Sequence, residues 1–136
     1  MLKRLKSTNL TEFADTGIAL LILRVVTSFA MIFGHGWGKL VNVFSGNFQF
    51  LDPIGLGPTL SLILAAFAEG ICSLLVMFGF YARGAALVLV INMSVAFLFV
   101  HLFNDPFGRM ELPLVYLVIF LTIFLLGPGK YSIDSK

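Results

Sequence analysis

The stretch from Ile18 to Leu40 decides the fold; it reads IALLILRVVTSFAMIFGHGWGKL. Its apolar part is long enough to cross a bilayer, because a helix needs about 20 residues to span about 30 Å of hydrocarbon. Arg24 interrupts this part with a permanent charge, and arginine at the centre of a spanning helix costs about 2.5–3.5 kcal/mol on insertion scales. A chain tolerates such a charge when it has a partner, so another segment is expected to supply one.

The composition is that of a membrane protein. Of the 136 residues, 59% are hydrophobic and only 12% are charged, whereas a soluble domain carries about a quarter charged residues. The net charge of +2 is small, and no basic stripe with interleaved aromatic residues suggests a nucleic-acid partner. The lone Cys72 excludes an intrachain disulfide and a CxxC redox pair. Arg24 also interrupts what would be a signal-peptide core, so the first helix is expected to be retained.

Four apolar segments, separated by turns rich in glycine and proline, predict four spans in a single domain, residues 1–136. The predicted spans are residues 16–39, 58–81, 84–103 and 111–126. The fold class is therefore an all-α integral membrane four-helix bundle. Residues 41–57 have the composition of a loop but include several large apolar side chains, so we expect this loop to fold back over the bundle.

Lysine and arginine predict the orientation of the bundle. With four spans, both termini share a side, which receives Lys3, Arg4, Lys6, Arg83, Lys130 and Lys136. The other side receives only Lys39 and Arg109. Because cytoplasmic loops carry the excess of basic residues, both termini are expected in the cytoplasm.

Three polar residues lie deep within the predicted spans. Helix rise places Arg24, Glu69 and Asn92 near one level. We therefore expect Arg24 and Glu69 to pair near the middle of the bilayer, with Asn92 as a third member. Two interpretations stay open: a structural pin, because any buried charge must be paired, or a functional site, because intramembrane ionisable groups are functional candidates by default.

A second polar group is expected where the helices reach the outer surface. Its members are His35, Trp37, Lys39, His101 and Glu111. They come from three helices and would form a mouth under the 41–57 loop, with each histidine either a helix-end cap or a ligand or proton carrier. Two histidines without a third clear ligand define no metal or haem site. The sequence has no phosphate-binding glycine loop, HExxH or GxSxG motif, so no catalytic residue is assigned.

Several short motifs together resemble the DoxX family of small bacterial membrane proteins. They are Leu23-Arg24, Gly34-His35-Gly36, Lys39-Leu40, Glu69-Gly70, Arg83-Gly84-Ala85-Ala86, Met93, Ala96, His101, and Gly108 with Glu111. The ending from Gly127 to Asp134 is similar to the family's closing GxGKYSxD. The resemblance implies a four-helix, multi-pass protein of the bacterial cytoplasmic (inner) membrane. It also implies an association with quinone-linked oxidation of sulfur compounds and with membrane oxidoreductase complexes.

The residues and the resemblance together predict a membrane subunit of a quinone-linked oxidoreductase system; whether it is itself an enzyme is left open. Its partners would be the lipid bilayer, a quinone and oxidoreductase subunits. We expect the quinone between the first and third helices near the outer leaflet. The ligand-binding candidates are Arg24, His35, Trp37, Lys39, Glu69, Asn92, His101 and Glu111. The alternatives are a non-catalytic scaffold subunit and a small-solute or proton transporter, although the sequence lacks the paired repeats typical of transporters.

Overall fold

The computed structural model describes Asn9 and residues 15–136, and within them four long helices form an antiparallel bundle. These helices are α1 (Thr16–Ser45), α2 (Pro58–Phe78), α3 (Ala82–His101) and α4 (Phe107–Leu126). All four are long and apolar enough to cross a membrane. A short 3-10 helix, Ile133–Ser135, follows near the C-terminus. The predicted number of membrane-length apolar helices is thus confirmed. Lys3, Arg4 and Lys6, on which the predicted orientation partly depends, lie outside the described residues.

Local sequence signals fix the helix ends. The Asp15 side chain accepts a hydrogen bond from the Gly17 amide, 2.8 Å away, and so caps the start of α1. Gly46 and Gly79 end α1 and α2 in the left-handed conformation, with φ of 75° and 69°, which glycine adopts without strain. Pro58 opens α2, where a missing amide hydrogen does no harm.

The helix boundaries differ from the predicted ones in a way that matters for the site. Helix α1 continues to Ser45 rather than ending at Lys39, so the connecting loop is residues 46–57 only. Helix α4 begins at Phe107 rather than at Glu111. The glycines of the 34–38 segment remain helical, because helix packing outweighs their low helix propensity.

One end of the bundle holds both ends of the described chain, since Lys130 Nζ lies 2.5 Å from Asp15 Oδ2. We call it the terminal end, and the opposite end, which carries residues 46–57, the loop end. The core between them is apolar and includes Met31, Val76 and Leu89. Many large apolar side chains instead point outward, as expected for a surface covered by lipid.

Helices α1 and α2 approach most closely at Gly36. A Cβ atom at Gly36 would overlap the Glu69 carbonyl and lie 2.7 Å from the Gly70 nitrogen. One turn further along α1, the Leu40 side chain covers Gly70 in the same way. Small residues let membrane helices pack backbone against backbone, so this contact fixes the register of α1 on α2.

Candidate functional site

A cavity of about 390 Å³ lies between α2 and α3, beneath the loop of residues 46–57. The loop lines it with Phe50, Leu51, Pro53, Ile54 and Leu56. Among the side chains that line it, only Ser61, Glu69 and Asn92 are polar. A mostly apolar cavity with a few convergent polar groups is the usual form of a small-molecule site.

The polar groups of this cavity form one connected cluster. Glu69 is 5% exposed, and its Oε1 accepts a hydrogen bond from Asn92 Nδ2 at 2.9 Å. Its other oxygen, Oε2, lies 2.5 Å from Lys39 Nζ. Lys39 does not itself line the cavity, so it approaches the carboxylate from the side of α1. The charge of the buried Glu69 carboxylate is thus balanced by Lys39, whose side chain does not occupy the cavity wall.

Distorted helical turns lie around this cluster, and one of them contains Glu69. Residues Ile32–Gly36 of α1 and Phe67–Cys72 of α2 are π-helical, and the close contact between Gly36 and Glu69 joins the two segments. A third π-helical segment, Ala96–His101, forms the loop end of α3. Such wider turns occur frequently at functional sites. Here the α2 segment holds Glu69 against both Lys39 and Asn92.

The cavity opens toward the lipid-facing surface between α2 and α3. Its wall includes Leu64, Phe67 and Ile91, which are 47%, 47% and 58% exposed. Side chains that line a cavity and are also exposed mark its mouth. The cavity is therefore open on its helical side, between α2 and α3.

The predicted Arg24–Glu69 pair is wrong. Arg24 is 2% exposed, and its guanidinium donates to the carbonyl oxygens of Met77, at 2.5 Å, and of Tyr131. The cause is the register of α1: Gly36 is level with Glu69, so Arg24 lies twelve residues, or about 18 Å, nearer the terminal end. The predicted third member, Asn92, does bond to Glu69.

Arg24 instead organises the terminal end, a role that the sequence pattern did not predict. It binds the last carbonyls of α2, where the helix dipole favours a cation, and the segment after α4. Asp134 of that segment accepts from the amides of Tyr81 and Ala82 at 2.8 and 2.9 Å, and so caps α3. The sequence signal that could have predicted this role is the closing motif, because its aspartate, Asp134, is a residue type that commonly caps helices.

The predicted outer cluster is not a single cluster, because its members have different surroundings. The ring of His35 meets Tyr116 edge-on, with ring centroids 5.8 Å apart. His101 Nδ1 lies 2.7 Å from Asp105 Oδ2. The His101 hydrogen bond, with help from Arg109, lowers the pKa of the Asp105 carboxyl in the α3–α4 turn. Trp37 and Glu111 are exposed, and neither lines the cavity.

The cavity lies between α2 and α3, whereas the sequence predicted a ligand position between α1 and α3. Ser28 and Met31, which face the interior from α1, are fully buried in helix packing. The 46–57 loop does cover a cavity, as expected, but over Glu69 and Asn92 rather than over the two histidines. Within the described ranges, no three His, Cys, Asp or Glu side chains gather as metal ligands.

Comparison with known proteins assigns the family. Residues 19–102 match the sequence model of the DoxX family. The chain belongs to the DoxX family. An uncharacterised protein of Haemophilus influenzae is 30% identical over 127 residues, covering 86% of this chain and 89% of that protein. The inner membrane protein YqjF of Escherichia coli is 31% identical over 127 residues, covering 90% and 93%.

Membership of the DoxX family agrees with the four apolar helices of the bundle. The four helices, together with the similarity to an inner membrane protein over nearly the whole chain, identify this DoxX protein as a multi-pass protein of the inner membrane. No solved structure gives a significant match to the chain. The DoxX family match ends at residue 102, so α4 and the closing segment lie beyond it.

Proposed function

We propose that this DoxX protein is a membrane subunit of a quinone-linked oxidoreductase system and holds a quinone-like lipophilic ligand between α2 and α3. The observation that carries the proposal is the apolar cavity of about 390 Å³ that contains the paired carboxylate of Glu69. An isolated charge in such a wall would be costly. A charge that is already neutralised by Lys39 leaves hydrogen bonding as the main interaction open to a head group.

The shape of the cavity supports a ligand with a ring and an apolar tail. Glu69 and Asn92 lie toward the end away from the loop, and the loop covers the other end with Phe50 and other apolar side chains. A ring would contact the polar pair and the apolar walls together. The tail would leave through the mouth near Ile91, which is 58% exposed to the surrounding lipid.

We further propose that both termini face the cytoplasm, on the evidence of the basic residues at that side. Reporter fusions test this directly. A reporter that is active only in the cytoplasm should be active when fused after Lys136. A reporter that is active only outside the cytoplasm should be active when inserted at Asn47. The opposite pattern would reverse the orientation.

Binding of a labelled quinone analogue, in its oxidised and its reduced form, to the purified protein tests the ligand. Ala96 lines the cavity, so Ala96→Phe should fill it and weaken saturable binding at least about tenfold. Ala30 is exposed on α1 and away from the cavity. Ala30→Phe, the same substitution on the lipid-facing surface, should bind as the wild type does.

A scaffold subunit without a ligand is the second candidate, and the terminal end favours it. The contacts of Arg24 and Asp134 join helices and the closing segment, and involve no cavity between α2 and α3. Absence of saturable binding, or equal binding by the Ala96→Phe and Ala30→Phe variants, would leave the scaffold as the better interpretation.

A further inference from the structure

The polar part of the cavity wall accepts more hydrogen bonds than it donates. A carboxylate offers about four lone-pair sites, and those of Glu69 receive one donor from Lys39 and one from Asn92. Asn92 uses one amide hydrogen for this bond, and its side chain retains one carbonyl oxygen and one further hydrogen. The hydrogen-bonding capacity that remains on Glu69 and Asn92 is therefore mainly that of acceptors.

The other polar groups nearby do not alter this balance. The Ser61 hydroxyl donates to Asp52 Oδ1 at 3.3 Å, so its hydrogen is directed to the loop. The ammonium of Lys39 is a strong donor, but it is directed at Glu69 Oε2 and at the His35 carbonyl oxygen rather than into the cavity. Apart from the one remaining amide hydrogen of Asn92, the polar atoms that a head group can contact here are therefore acceptor oxygen atoms.

We propose, on the basis of the function proposed above, that the cavity selects lipophilic ligands whose head group donates hydrogen bonds. A hydroquinone or another phenol fits this requirement, whereas a quinone offers only carbonyl acceptors to the same oxygen atoms. Two acceptors facing each other leave buried polar groups unpaired, which is costly in a low-dielectric site. The reduced form of the ligand is therefore held in preference to the oxidised form.

The direct role of the carboxylate makes Glu69 the residue that determines this preference. Lys39 acts through it, as a positioning residue that pairs with Oε2 while Oε1 bonds to Asn92. Binding the reduced form more tightly makes the bound couple easier to reduce. In this way, the buried ion pair of the bundle would set which redox form of a lipid-soluble carrier the protein retains.

Equilibrium binding under oxygen-free conditions tests the selection with three short-chain probes on purified protein. The probes are a benzoquinol, the matching benzoquinone, and the dimethyl ether of the quinol, which keeps the reduced ring but has no donor. We expect the quinol to bind at least about tenfold more tightly than either of the other two, as one well-formed hydrogen bond allows.

A charge-balanced variant tests whether Glu69 causes the preference for the quinol. Glu69→Gln combined with Lys39→Met replaces an acceptor oxygen with an amide donor and leaves no unpaired charge. Its quinol preference should fall below about twofold, with quinone binding unchanged or tighter. Glu111→Gln, the same substitution at an exposed carboxyl outside the cavity, should retain the full preference.

The outcomes separate this inference from the function on which it rests. If the quinone binds as tightly as the quinol to the wild-type protein, the selection is refuted while the ligand site stands. If the charge-balanced variant folds and keeps the tenfold preference, Glu69 is not its source and the inference is refuted. If none of the probes binds saturably, the proposed ligand site fails, and the selection fails with it.

Discussion

Lys39 and Glu69, from different helices, form a buried ion pair with Nζ and Oε2 2.5 Å apart. The pair lies beside the closest approach of α1 and α2, at Gly36. It joins the two helices and also holds a carboxylate in the wall of an otherwise apolar cavity. A single contact thus couples the packing of the bundle to the chemistry of the candidate site.

Removing one partner of this pair should destabilise the protein unequally. The Glu69 side chain is 7% exposed and that of Lys39 is 20% exposed, so an unpaired carboxylate would be more deeply buried than an unpaired ammonium. We expect Lys39→Met to lower the free energy of unfolding by about 3–5 kcal/mol, as for other broken buried pairs. Glu69→Gln should cost less. Reversible unfolding in detergent measures both.

The double variant completes this cycle. Lys39→Met with Glu69→Gln leaves no unpaired charge, so it should be more stable than Lys39→Met alone. Losses that simply add would contradict an ion pair between the two residues.

Gly36→Ala should destabilise the bundle, because the added Cβ meets the backbone of Glu69 and Gly70 rather than a movable side chain. We expect a loss of about 1–3 kcal/mol, typical of overpacking. Gly34 and Gly38, in the same part of α1, have open space where an added methyl group would lie. Gly34→Ala and Gly38→Ala should therefore be neutral or stabilising by up to about 1 kcal/mol. Equal effects at all three positions would disprove the close approach.

Arg24→Gln should be more damaging than Arg83→Gln, although both arginines bind the carbonyls at the end of a helix. Arg24 is buried, and its removal leaves the Met77 and Tyr131 carbonyls without this hydrogen-bond donor. A buried polar group left without a partner costs about 1–3 kcal/mol of stability. Arg83 is exposed and binds the Phe124 and Leu125 carbonyls, which water can reach. Thermal unfolding of the two variants compares them. A larger effect at Arg83 would overturn this view of the terminal end.

The Asp15–Lys130 pair should make stability depend on pH in a defined direction. The hydrogen bond from Lys130, followed by that from the Gly17 amide, lowers the pKa of Asp15 below its ordinary value of 3.8. The pair therefore contributes stability above pH 3.8 that is lost as the pH falls through the lower pKa of the folded protein. In the same way, Asp15 raises the pKa of Lys130 above 10.5. That contribution is present below pH 10.5 and disappears as the pH rises through the raised value.

Unfolding temperatures measured from acid to alkaline pH test this dependence. Asp15→Asn should flatten both the acid and the alkaline parts of the profile. Lys130→Met should flatten the alkaline part but the acid part only partly, because the Gly17 amide still bonds to Asp15. Adding Lys130→Met to Asp15→Asn should change the profile no further. Additional flattening in the combined variant would assign the pH dependence to other groups.

The class of this protein follows from local features of its sequence. Long apolar segments that alternate with glycine and proline turns predicted four spans in the correct order, because hydrophobic length and helix-stop signals are local properties. It also identified Glu69 and Asn92 as neighbours and predicted that the aromatic loop folds over the bundle. Both followed from polar groups within apolar spans and from large apolar side chains within a loop.

Which charged side chains pair with each other depends on how the helices pack. The predicted pairing counted the depth of each residue from the end of its own helix and assumed that the helix ends lie at the same level. The Gly36 contact instead fixes the register of α1 so that Lys39, not Arg24, reaches Glu69. The position of the cavity depended on the same packing, which places α2 and α3 around it and leaves His35 and His101 with other partners. Sequence periodicity gives the face and height of a residue on its own helix. Register and rotation between helices arise from close contacts, such as that of one glycine with a neighbouring backbone, which local sequence does not encode.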